Sequence, residues 1–149
     1  MKFSVQLMQH TDKRVQGLKT VTKNVIRALA VDLVDRSPVG EPELWKSKPP
    51  KGYVGGQFKA NWQYGFNSVS NGYLPDVDRS GQVSLNRIDR GLNSVDDVDG
   101  IHYLFNNMPY ATMLELGWSA QAPTGMVALT VIDFPDIVKS EIARYSEFN

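Results

Sequence analysis

The sequence predicts an α+β fold, a long N-terminal helix and a C-terminal helix packed on a small, mostly antiparallel sheet, and three observations predict it. From residue 13 to residue 35, Val15, Leu18, Val25, Leu29 and Leu33 recur at three- and four-residue steps, the period of an amphipathic helix. Residues 57–69 instead alternate, with Phe58, Ala60, Trp62, Tyr64 and Phe66 against Lys59, Asn61, Gln63, Gly65 and Asn67, the pattern of a half-buried strand. Glycine and proline then punctuate the second half into short segments that end in another apolar periodicity. At 149 residues, one domain with a modest core is expected, carrying a loop insertion at about 40–56.

Taken in order, residues 1–11 alternate weakly and suit a short strand or an arm, after which Thr11 can cap the helix and Asp12 favours its first turn. Val21, Ile26, Ala30, Val31 and Val34 widen the apolar surface of helix 13–35, which is about 35 Å long at ~1.5 Å per residue. A helix apolar on more than one side is central or pressed against a neighbouring subunit. Ser37-Pro38 ends it, since proline disfavours helical geometry in the residue before it. Residues 39–56 are rich in Pro, Gly and Lys and show no period, so a long loop is expected. Trp45 and Tyr53, interleaved with Lys46, Lys48, Lys51 and Lys59, suit either interface anchoring or contact with nucleic acid.

Past the strand and an Asn71-Gly72 turn, Val83, Leu85, Ile88 and Leu92 predict a second helix over 80–92, stopped near Gly91. An acidic turn, Asp96 to Gly100, leads to a short strand at 101–105. Pro109 and Gly117 bracket about two helical turns, proline suiting the first position and glycine the left-handed stop. Glu115 lies among Tyr110, Met113, Leu114 and Leu116, so its carboxylate sits on an exposed edge or is paired. The β-branched run at 126–132 predicts a strand, and Pro135 places the start of the last helix near Phe134.

Net charge is zero, but residues 1–60 carry eleven basic against five acidic side chains and residues 61–149 the reverse. Either identical subunits pack head to tail, or the halves intermix and cancel locally. The absence of cysteine excludes disulfides and thiolate chemistry. No apolar run approaches the ~20 residues of a membrane span, and the polar N-terminus lacks a signal-peptide core, so a protein kept in a cytoplasm, or in something assembled there, is expected. His10 and His102 are far apart, and Asp97-x-Asp99-Gly100 has Val95 and Asn106 where a calcium loop needs its first and last ligands. Gly52-Tyr53-Val54-Gly55-Gly56 lacks the Gly-Lys-Ser/Thr of a phosphate cradle, and no Gly-x-Ser-x-Gly elbow occurs. No catalytic residue, cofactor or metal is therefore assigned.

Asn106, Pro109-Tyr110-Ala111, Glu115-Leu116-Gly117-Trp118 and Gln121-Ala122-Pro123-Thr124-Gly125-Met126 follow Arg36-Ser37-Pro38-Val39 and Gly56-Gln57-Phe58-Lys59-Ala60-Asn61-Trp62 in one collinear series. In this the chain resembles the tail-completion or neck proteins of long-tailed bacteriophages, from about Val15 to Val138. It departs from the family's compact Ser-Pro-Val-Asp-Thr-Gly pattern by the insertion between Gly40 and Gly56. The resemblance implies a virion structural protein, not an enzyme, that forms a homo-oligomeric ring joining a head-side connector or head-closure protein to the tail terminator or tube protein. DNA would pass through its lumen without sequence-specific contact. Trp45, Lys46, Lys48, Lys51, Tyr53, Trp118 and Gln121 are the candidate interface residues. The alternative is a nucleic-acid-binding module using the Trp/Tyr/Lys loop.

Overall fold

The computed structural model describes residues 2–41, 48, 51 and 53–148. The fold is α+β. Among the described residues, helix α1 (Lys2–Arg36) is followed by a 3-10 turn (Lys59–Asn61), strand β1 (Trp62–Phe66), helix α2 (Gln82–Asn93), strand β2 (His102–Asn106), the short helix α3 (Ala111–Glu115) and helix α4 (Val127–Phe148). The strands form a two-stranded antiparallel sheet with Trp62 opposite Asn106 and Phe66 opposite His102. Helices α2 and α4 both pack on α1, and α2 also covers β1.

Helix α1 begins at Lys2, which corrects the expected strand at 1–11 and the cap at Thr11; of the two alternatives the exposed arm is the one seen, in helical form. No proline interrupts these residues, and the Thr11 hydroxyl donates back to the Leu7 carbonyl at 2.9 Å, as a threonine inside a helix does. Gly17 lies inside α1 because a Cβ there would stand 2.8 Å from the Tyr145 hydroxyl of α4. The end of α1 follows the expectation: the Ser37 hydroxyl donates to the Leu33 carbonyl at 2.7 Å, and Pro38 follows.

The alternation at 57–69 yields a strand of only five residues. Asn61 and Gln63, expected on the polar face, are both buried. The Asn61 amide donates to the carbonyls of Gln57 (2.8 Å) and Leu74 (3.0 Å) while its oxygen accepts the Leu74 N–H at 2.6 Å, so it satisfies loop backbone on both sides. Arg87 of α2 donates to the carbonyls of Ala60 and Trp62 and pairs with Asp76 at 2.9 Å. Helix α2 runs past Gly91 to Asn93, because Gly91 makes room for the Tyr64 ring of β1 rather than stopping the helix.

The expected strand at 126–132 is the first part of α4, and Pro135 lies inside that helix rather than near its start. The missing N–H of Pro135 leaves the Val131 carbonyl without a helical donor, and both residues sit on the exposed side, where water can take its place. Antiparallel packing of α4 on α1, with Asp133 joined to Arg36 and Tyr145 against Gly17, overrides the β-branched propensity. Ile26, Ala30, Leu33 and Val34 of α1, with Phe58, Trp62, Ile88, Leu92, Met108 and Met126, form the core.

Glu141 of α4 is 6% exposed; one oxygen pairs with Arg144 at 3.3 Å, while Oε2, like Thr130 Oγ1, has no hydrogen-bond partner among the described residues. A buried carboxylate so poorly satisfied costs more than it returns. Glu141→Gln is expected to raise unfolding free energy by about 1 kcal/mol in urea titration; a loss of that size would place an essential charge there.

Candidate interface cleft

The residues that end α1 and those that follow α3 come together around one cleft. Helix α3 closes with a left-handed glycine: Gly117 (φ 87°) donates to the Leu114 carbonyl at 3.1 Å and Trp118 to the Met113 carbonyl at 3.2 Å, the paired bonds that terminate a helix at glycine. This is the stop expected at Gly117. The chain then turns twice, Ala122 N–H bonding Ser119 and Gly125 N–H bonding Ala122.

Glu115 fixes what comes next. Its Oε2 accepts the N–H groups of Met126 and Val127, and its Oε1 that of Ala128, each at 2.9 Å, so it caps α4 from eleven to thirteen residues upstream. The carboxylate is thus paired, with backbone rather than a cation. Partial burial raises its pKa, but the three N–H donors outweigh that and hold it below the ordinary carboxylate value. Gly125 (φ 81°) lies against this carboxylate, where a Cβ would come within 2.6 Å of Oε1.

Gln121 fastens this turn to the end of α1. Its side-chain oxygen accepts the Val39 N–H at 2.9 Å and its amide donates to the Val39 carbonyl at 2.8 Å, as a neighbouring strand would. From the other side, the Trp62 indole N–H donates to the Ser37 hydroxyl at 2.7 Å.

The cleft between these segments has a volume of about 630 Å³. Val39, Glu41, Tyr53, Phe58, Tyr110, Met113, Trp118 and Gln121 line it. The Phe58 and Tyr110 rings meet at a tilt of 38°, 6.1 Å between centroids. Burial, then the neighbouring Tyr53, push the Tyr110 phenol up to about 12; burial also raises Tyr53, opposed by Arg79. Both phenols are therefore neutral at physiological pH. Glu41 is engaged by Arg79 at 3.1 Å. The lining is aromatic and thioether, with the polar groups at its edges committed to partners.

Of the candidate interface residues, Tyr53, Trp118 and Gln121 converge on this cleft. Trp118 is 72% exposed, continuous with exposed Leu116 and Met113. Tyr53 is half-buried, and the Gln121 amide is spent on Val39. Lys48 and Lys51 are exposed, and Trp45 and Lys46 lie outside the described residues. Sequence reasoning missed Phe58, Tyr110 and Met113, whose apolar spacing is that of core positions. Among the described residues no group of three His, Cys, Asp or Glu is placed to hold a metal, and no helix is long and apolar enough to cross a membrane. His102 instead bridges β1 and the acidic turn, its ring bonding the Tyr64 hydroxyl at 2.8 Å and the Val98 carbonyl at 2.9 Å.

Compared with protein-family models, curated proteins and solved structures, the chain matches none.

Proposed function

We propose that this chain is a structural subunit of a bacteriophage neck or tail-completion ring, with the cleft and its Trp118 rim as a docking surface for a neighbouring neck or tail protein. The observation that carries the reading is the meeting of the resemblance's separate motifs in one unit. Ser37-Pro38-Val39 is bonded to Gln121 and to Trp62, and Glu115 to the backbone that follows Gly125. Motifs scattered along the chain therefore act together, as residues kept for one surface would. The surface they build is aromatic, has neutral phenols and ends in an exposed tryptophan. Such a surface suits burial of a partner's side chains, where aromatic anchors dominate binding energy.

Co-expression with head-side connector and tail proteins tests the reading. Ring particles with a central lumen in negative-stain micrographs, bound to one of those proteins, are expected. Trp118→Ala is expected to weaken that docking by about 2 kcal/mol, roughly 30-fold, while leaving the melting temperature of the isolated chain unchanged. Failure to bind any of the neighbours, or docking by Trp118→Ala at wild-type strength, would remove the support for it.

A further inference from the structure

The first four turns of α1 stand clear of the body. Every residue from Ser4 to Gln16 is exposed, and Gly17, under the Tyr145 ring, is the first buried position. A free helical segment of this length, about 20 Å, is marginal in water on its own. It is nonetheless amphipathic: Leu7, Val15 and Leu18 recur on one side at helical spacing, and Leu7 and Leu18 are 58% and 67% exposed. Arg14 and Lys19 flank that stripe at helical spacing, and with Lys13 they outnumber the single Asp12; none of the three cations has an ion-pair partner among the described residues.

Helix α4 carries the counterpart. One side faces α1 through Asp133, Glu141 and Tyr145. On the adjoining side Val131, Pro135 and Ile142 recur at helical spacing, exposed, with Ile132 beside them. From Val131 to Ile142 is the same number of residues as from Leu7 to Leu18, so both stripes are about 17 Å long. Helix α4 has four carboxylates against two cations; among the described residues Asp136, Glu147 and Lys139 are exposed without an ion pair, a net negative charge against the net positive charge of the arm. Pairing two cationic arms with each other would instead set like charges together.

We infer that the overhanging arm of α1 in one copy lies along the exposed α4 face of the next copy, making the head-to-tail contact of the assembly. This rests on the reading of the chain as an assembly subunit, and adds which surfaces meet. Because the donor and acceptor surfaces differ, the contact is heterologous and repeats until a ring closes.

The test is sedimentation of the full chain across a concentration range. Wild type is expected to self-associate. Leu7→Asp with Leu18→Asp in the arm, and Val131→Asp with Ile142→Asp on α4, are each expected to weaken association about 30-fold or more, with unchanged circular dichroism for the arm variant. Mixed in equal amounts, the two variants are expected to form a heterodimer of twice 16.7 kDa that grows no further, since each retains the surface the other has lost. The chain lacks cysteine, so Thr11→Cys with Pro135→Cys gives a second measurement that needs no folding of the α4 variant. Under a glutathione redox buffer the doubly substituted chain is expected to give a ladder of disulfide-linked multimers, and Thr11→Cys alone is not. A wild-type monomer at all concentrations, a mixture that stays monomeric, or cross-linking by Thr11→Cys alone would overturn the inference. So would binding of the arm to anionic vesicles or duplex DNA without self-association. Rings that form equally well from the arm variant would sink the arm contact and leave the neck reading standing.

Discussion

Trp62→Ala is expected to lower the unfolding free energy by about 3–5 kcal/mol, the range for truncating a buried tryptophan. Trp62 is 3% exposed and meets the Phe58 ring edge-on at 5.9 Å. Its indole N–H bonds Ser37, the residue that ends α1, so one side chain ties the first strand to the helix stop. Truncation would open a cavity among Ile26, Val34, Phe58 and Met126 and remove that tie. With a chain of this size each kcal/mol moves the melting temperature by about 2–4 °C, so a drop of about 10 °C is expected in thermal scans. A loss under 1 kcal/mol in urea would mean that the core is not organised around this residue. Phe58, which lines the cleft as well as making this contact, would shift with it, so the same variant is expected to weaken partner docking.

Trp62 was legible because its period and its size both point inward. The same alternation misassigned Asn61 and Gln63, since a side-chain amide that satisfies loop backbone inside the protein looks, in sequence, like one facing solvent. Helix α1 was legible from residue 13 on, where packing imposes a stripe. Before that the residues of the arm from Ser4 on are exposed, so its pattern is weaker, and Thr11-Asp12 resembled a cap. The start of α4 failed for another reason. Val127 to Ile132 has strand propensity, and the group that sets it into a helix, Glu115, is eleven or more residues away. Local propensity decides an end only where the local chain supplies the cap. In the cleft, Tyr53, Trp118 and Gln121 drew notice by their place in loops. Phe58, Tyr110 and Met113 did not, because a residue that lines a cleft carries the same apolar spacing as one in the core.

Glu115 offers the sharpest test of that long-range cap. Glu115→Ala removes three charge-assisted hydrogen bonds and the negative charge at the positive end of α4, and is expected to cost about 2–3 kcal/mol at neutral pH. The loss should fall first on the amides of Met126, Val127 and Ala128, seen as faster hydrogen exchange there than in α2. Glu115→Gln keeps the shape and removes the charge, so it separates the two contributions and is expected to cost about 1 kcal/mol. The pH dependence has a definite sign. Because the folded-state pKa is lowered, the carboxylate's contribution is complete above its unfolded value of about 4.3 and is lost as pH falls through the folded value. Asp78, whose pKa is lowered chiefly by the Val83 N–H and then the Ser80 hydroxyl, loses stabilisation in the same direction. The absolute acid sensitivity of the protein therefore belongs to both groups, and only the difference between wild type and Glu115→Gln isolates the cap. That difference is expected to be constant from pH 8 to about pH 5 and to shrink towards zero in more acid solution, where wild type carries a neutral carboxyl much like the amide. A difference that stays flat to acid pH would mean that charge contributes nothing and that Glu115 acts only by filling the space beside Gly125.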